Sequence, residues 1–105
     1  MKVELVLKRR DGKANANAVF EDGSVLVRKG SLINMDGSVL SDNSTAQKCR
    51  QDRTIVGKDG IIKKDVLFSS ASMAATFVTG SISNGLKYWK TRDGKRLSDK
   101  ISEKV

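Results

Sequence analysis

Asp-Gly pairs occur five times along the chain, at Asp11-Gly12, Asp22-Gly23, Asp36-Gly37, Asp59-Gly60 and Asp93-Gly94. Both residues tolerate positive φ, so the pair favours the tight turns that let one strand double back on the last. Three of the pairs sit between runs that read as strands: VELVLKR at 3–9, ANAVFE at 16–21 and SVLVRK at 24–29. In the last of these Val25 and Val27 alternate with Ser24, Leu26 and Arg28, the period of a half-buried strand. An antiparallel meander over residues 2–40 is therefore expected. The pairs are irregularly spaced and nothing else recurs with them, so they do not mark a solenoid.

The middle of the chain changes character. Asp42, Asn43 and Ser44 are good helix N-caps, and TAQKCRQDRTIV follows with no breaker before Gly57. That run predicts a central helix with Ala46, Cys49 and Val56 on one face and Arg50 and Arg53 at its edge. Ile61-Ile62 and Val66-Leu67-Phe68 resume a strand-like pattern. Residues 67–86 carry no charge, yet ten of these twenty are Ser, Thr, Asn or Gly, too polar for a bilayer span. A short helix fits, capped by Ser69 or Ser70 and ending at Gly80, with Met73/Phe77 and Ala74/Val78 forming its apolar stripe. Asn84-Gly85 then predicts a turn, LKYWKT a strand, Arg92-Asp93-Gly94-Lys95 a hairpin turn and Arg96-Leu97 the return. Ser98 is positioned to cap a terminal helix. The sum is one α+β domain over residues 1–105: an N-terminal β-meander, a central helix, a short capped helix and a C-terminal β-hairpin.

Leu, Ile, Val and Phe make up about a quarter of the 105 residues, enough for a core and above the roughly one-fifth typical of disorder. Twenty basic residues against twelve acidic ones leave a net charge of +8. Such a field draws polyanions, nucleic acid first and an anionic membrane surface second; the alternative is a merely solvated basic surface. There is no histidine and only one cysteine. An internal disulfide, a cysteine metal cluster and a Ser-His catalytic pair are thus excluded. No phosphate loop or dinucleotide fingerprint occurs, and Arg28-Lys29-Gly30-Ser31 is too short to be one. A non-enzymatic protein without cofactor or metal is expected, and no membrane partner. The opening MKVELVLKRRDG has too short an apolar run for a signal peptide, which makes the cytoplasm the expected location.

Candidate binding residues cluster at the predicted hairpin. Lys87, Lys90, Arg92, Lys95 and Arg96 can neutralise phosphates, with Asn84 in the turn before them. Tyr88 and Trp89 lie among them; Trp89 is expected in the core, with base stacking as the alternative. Ser70 and Ser72 open the capped helix, where free N–H groups favour an anion; ordinary capping is the competing reading. Cys49 reads as a small hydrophobe, although Lys48 and Arg50 would lower its pKa if it were exposed.

An ordered set of these residues resembles a known family. Lys64-Asp65, Phe68-Ser69-Ser70-Ala71-Ser72-Met73-Ala74-Ala75, Val78, Gly80, Asn84-Gly85, Trp89-Lys90, Asp93-Gly94-Lys95 and Leu97 resemble the pattern of domain of unknown function 4357. That pattern runs D-x-x-F-x-S-P-S-A-A-A, V-x-G, N-G-W-x-x-W-K and G-K-x-L. Val25 to Ser31 resembles its V-V-x-K-G-S segment, and Arg50 an arginine of its middle helix. The resemblance spans about 14–97. Ala71 replaces the family's usual Pro, which suits a first helical position, and Leu86 replaces a frequent Trp. The resemblance implies a non-catalytic accessory role on DNA or RNA, because such domains accompany GIY-YIG nucleases and restriction-modification systems. It implies a stand-alone copy or a piece of a larger protein, and supplies no catalytic residue. A protein-interaction or oligomerisation module, docking through residues 67–86, is the rival expectation. The oligomeric state stays open, with a monomer the simplest case.

Overall fold

The computed structural model describes residues 2–9, 11–35, 45–80 and 85–102. Three strands, β1 (Lys2–Lys8), β2 (Asn15–Glu21) and β3 (Ser24–Val27), form the expected meander. Asp22 (φ 52°) and Gly23 (φ 84°) make the two-residue loop between β2 and β3, and Glu21 pairs directly with Ser24. Positive φ at both loop positions matches the right-handed twist of the strands, which is why Asp-Gly serves there. Asp36-Gly37 lies outside the described residues. The meander gains a fourth strand, β4 (Val66–Phe68), antiparallel to β3, so the sheet order is β1-β2-β3-β4.

One sheet face is buried and the other is open. Val3, Leu5, Leu7, Ala16, Ala18, Val25, Val27, Val66 and Phe68 all point into the core. Against them packs α2 (Ala71–Thr79), which buries Ala74, Ala75, Phe77 and Val78 completely. The rings of Phe68 and Phe77 meet at 5.0 Å between centroids. A nine-residue helix is unstable alone in water, so α2 exists because the sheet covers it. Burying Phe77 is worth about 2–3 kcal/mol.

The ends of α2 are closed as sequence predicts, and more fully. Ser70 is the N-cap, its Oγ accepting from the Met73 N–H at 3.1 Å. Gly80, at φ 80°, donates its N–H to the Thr76 carbonyl. The next three carbonyls also find donors. Arg50 Nη1 donates to Phe77 O at 2.7 Å, Asn34 N to Val78 O at 2.8 Å, and Asn34 Nδ2 to Thr79 O at 2.9 Å. Arg50 Nη2 reaches back to Asn34 O at 2.6 Å, which locks the two donors together. Burial pushes the Arg50 guanidinium below its ordinary pKa, and these charge-assisted bonds offset that cost.

The central helix is shorter than expected. α1 covers Thr45–Gln51 and then stops. The Asp52 carboxylate accepts from the Thr54 N–H at 2.9 Å and the Thr54 hydroxyl at 2.7 Å, a local turn that competes with helix. Val56 consequently leaves the predicted helical face and bridges Ile62. The cap candidates Asp42, Asn43 and Ser44 lie outside the described residues.

The expected LKYWKT strand is also corrected. Gly85–Tyr88 form one helical turn, α3, and Trp89 N donates to Gly85 O at 3.1 Å. Both ends of this turn are tied to the start of α2: Gly85 N donates to Ser72 Oγ at 3.1 Å, and Trp89 Nε1 to Ala71 O at 3.1 Å. Four extended steps would separate residues 85 and 89 by about 13 Å; a helical turn rises only about 6 Å. The short path lets both reach one spot on α2. The predicted hairpin survives as a tight turn closed by a single bridge, Lys90 with Arg96, and Lys90 also bridges Val6 on β1. Ser98 lies inside the first turn of α4 (Leu97–Ser102), not ahead of it as a cap, because buried Leu97 starts the helix and donates its N–H to Trp89 O. Among the described residues no helix is long and apolar enough to cross a membrane.

Two predictions follow from these contacts. A Cβ on Gly85 would lie 2.1 Å from the Ala71 carbonyl carbon, whereas one on Gly94 would meet nothing within 4 Å. Gly85→Ala is expected to cost about 3 kcal/mol of unfolding free energy and Gly94→Ala about 1–2 kcal/mol from its positive φ alone. Urea titration of both variants checks the difference, and equal losses would contradict it. Arg50→Met should cost about 2–3 kcal/mol by stranding buried carbonyls, while exposed Arg53→Met should stay within about 0.5 kcal/mol of the parent.

Candidate functional site

The residues around Trp89 alternate between core and surface. Trp89 is fully buried, so its neighbours Tyr88 and Lys90 face outward. Trp89 is thus a core residue with its indole N–H satisfied, and the stacking alternative for it falls. The outward residues border a concavity of about 530 Å³ between β1, α3 and the Thr91–Lys95 turn. Five cations line it, Lys8, Lys87, Lys90, Arg92 and Arg96, with Tyr88 beside them and no carboxylate among the lining residues. A concave site walled by one sign of charge concentrates the field of those charges.

The turn that presents Arg92 is stiff for local reasons. Thr91 N donates to Lys95 O at 2.8 Å and Gly94 N to Thr91 O at 3.0 Å. The Thr91 hydroxyl donates to the Asp93 carboxylate and accepts from Lys95 N at 3.2 Å. That hydroxyl, with Lys95 nearby, holds the Asp93 carboxyl below its ordinary pKa. Asp93 is thereby engaged in the turn and does not line the cavity. Arg92 Nε lies 3.7 Å from Glu4 Oε2, with both side chains more than half exposed. An ion pair so exposed is worth under about 1 kcal/mol and leaves Arg92 free to exchange partners.

The remaining sequence candidates separate from this group. Lys95 is in the turn but does not line the cavity. Ser70 caps α2 and Ser72 accepts from Gly85 N, so both serve the α2–α3 joint. Asn84 lies outside the described residues. Cys49 is half-buried against the core, and burial, then Asp52, pushes its thiol pKa up against a smaller opposing effect of Lys64. Cys49 is thus the small, partly buried hydrophobe that was expected, and the lowering by Lys48 and Arg50, which required an exposed thiol, does not arise. Lys8 is the residue that sequence reasoning missed: it ends β1, and the Val6–Lys90 bridge brings that strand beside the turn.

A second cavity, of about 630 Å³, lies on the open sheet face. It mixes Lys2 and Arg28 with Glu4, Glu21 and Asp22, and so offers a polyanion no net attraction.

The chain belongs to the family described as domain of unknown function (DUF4357), whose model matches residues 5–101. The match runs from within β1 into α4, wider than the motifs alone suggest. No curated protein and no solved structure matches the chain. The motif residues now have physical roles. Asp65 Oδ1 accepts from Lys29 N at 2.7 Å and ties the turn after β3 to the start of β4. Ser31, buried, accepts from Asn17 N at 3.0 Å and contacts Asn17 O, replacing a ladder partner where the chain leaves the sheet. Arg50, Ser70, Ser72, Gly80, Gly85, Trp89 and Leu97 all act in packing or capping, as described above. The family pattern is therefore largely a description of the scaffold.

The Asp93 carboxyl provides a check on the turn. Its depressed pKa means the Thr91–Asp93 contact stabilises the turn above the ordinary Asp value of about 3.9 and is lost as pH falls through the lower folded value. Carboxyl ¹³C titration by NMR should give Asp93 a midpoint below 3.9 in the parent. In Thr91→Val the midpoint should return toward it; an unchanged midpoint would contradict the assignment.

Proposed function

We propose that this member of the DUF4357 family is a non-catalytic accessory module that binds nucleic acid, DNA rather than RNA, and is associated with nuclease or restriction-modification systems. The observation that carries the reading is the cavity of five cations with no acid in its lining, in a chain of net charge +8. Such cations displace the counterions condensed on a phosphate backbone, and that release drives binding. The nuclease association rests on the family resemblance. The cavity brings Lys and Arg side chains together, which suits electrostatic capture more than proton transfer near neutral pH.

The alternative is an interaction or oligomerisation module. One observation favours it: Leu67 is two-thirds exposed and stands in register with Leu26 and Val19 on the open sheet face. Within residues 67–86, however, Phe68, Ala74, Ala75, Phe77 and Val78 are spent on the core and do not dock a partner.

Fluorescence anisotropy with labelled oligonucleotides over a salt series tests the leading reading. Five phosphate contacts predict a log–log slope of about −3.5 for single strands and −4.5 for duplex. Lys90→Glu and Arg96→Glu should each weaken binding by tenfold or more. Lys58→Glu, an equal change of net charge at an exposed residue away from the cavity, should change it less than threefold. No binding at low salt, or equal effects from all three variants, would sink the proposal.

A further inference from the structure

The basic cavity contains one feature that phosphate neutralisation does not use. Tyr88 lines it and is 52% exposed, the only aromatic among its lining residues. Trp89 beside it is fully buried and tied to Ala71 O, while the Tyr88 ring stays on the surface. An aromatic ring held at the edge of a cationic cavity offers a stacking face. In a duplex the base faces are already stacked on one another; only an unpaired base has a face to give.

Arg92 extends the site in one direction. It lines this cavity and also a neighbouring groove of about 370 Å³, whose other cations are Arg28 and Lys29. The groove crosses from β1 to the end of β3, two inter-strand steps or about 10 Å. A cationic track leading away from a stacking ring suits a flexible single strand. Glu4 lies in that track, paired to Arg92, and opposes a phosphate there.

Building on the proposed nucleic-acid role, we infer that the cavity is a single-strand site, in which an unpaired base stacks on Tyr88 while the flanking phosphates meet Lys87, Lys90, Arg96 and, along the groove, Arg92. Glu4 weakens the ion pairing of the groove and sets its affinity below the maximum.

The test compares three labelled probes of equal length at one salt concentration: a single-stranded oligonucleotide, its duplex, and an abasic single strand with the same number of phosphates. The normal single strand should bind about tenfold more tightly than either of the others. Tyr88→Ala should erase that advantage and leave the duplex and abasic affinities unchanged, and Tyr88→Phe should keep it. Glu4→Gln should tighten single-strand binding about threefold, a gain that misfolding cannot produce. If all three probes bind equally and Tyr88→Ala changes nothing, the stacking site is overturned while the nucleic-acid reading stands. If none of the probes binds, the nucleic-acid reading itself falls.

Discussion

Four carbonyls at the C-terminal end of α2 carry the architecture. A helix leaves its last four carbonyls without internal partners, and α2 ends inside the protein, where water cannot serve them. Gly80, Arg50 and both nitrogens of Asn34 supply a donor for each. Gly80 is the helix's own cap, whereas Arg50 comes from α1 and Asn34 from the loop after β3, so the bonds that close α2 also dock these segments. At the other end Ser70 caps the helix, and Gly85 and Trp89 bind the backbone and side chain of Ala71 and Ser72. The sheet supplies the apolar cover, and the two helix ends supply the points at which everything else is attached.

This arrangement explains how a motif made of scaffold residues can still define a site. Trp89 goes inward because its indole N–H reaches Ala71 O, and it thereby turns Tyr88 and Lys90 outward. Gly85 lets α3 lie directly on α2, which sets where Lys87 emerges. The bridge from Lys90 to Val6 then brings Lys8 of β1 against the same cavity. The cations owe their grouping to buried neighbours more than to contacts among themselves, as like charges must.

Much of this was legible in the sequence where the signal is local. Asp-Gly pairs marked the turns, alternation marked β1 to β3, and the Ser70 and Gly80 caps bracketed α2, because each is decided within a few residues. The reading failed where distant contacts decide. LKYWKT has strand propensity, but two hydrogen bonds to α2 contract it into a helical turn. α1 ends early because Asp52 prefers a turn with Thr54, a choice that helical periodicity does not register. Arg50 stood at the edge of the predicted helix and matched the family pattern, but its capping role did not show, since its partners, Phe77 and Asn34, are 27 and 16 residues away. Lys87, Lys90, Arg92 and Arg96 were near one another in the chain and are grouped in space, whereas Lys8 joined them through sheet pairing that no short window reveals.

The signature residues build the scaffold, and we propose that ligand binding belongs to the cavity beside them. Two-dimensional ¹H–¹⁵N NMR during titration with a single-stranded oligonucleotide tests it most directly. The account predicts amide shifts concentrated at Lys8 and from Lys87 to Arg96, with little change along the buried face of α2 or at the open-face row of Val19, Leu26 and Leu67. Shifts centred on that row or on Ser70 and Ser72, with the cavity residues unmoved, would contradict it.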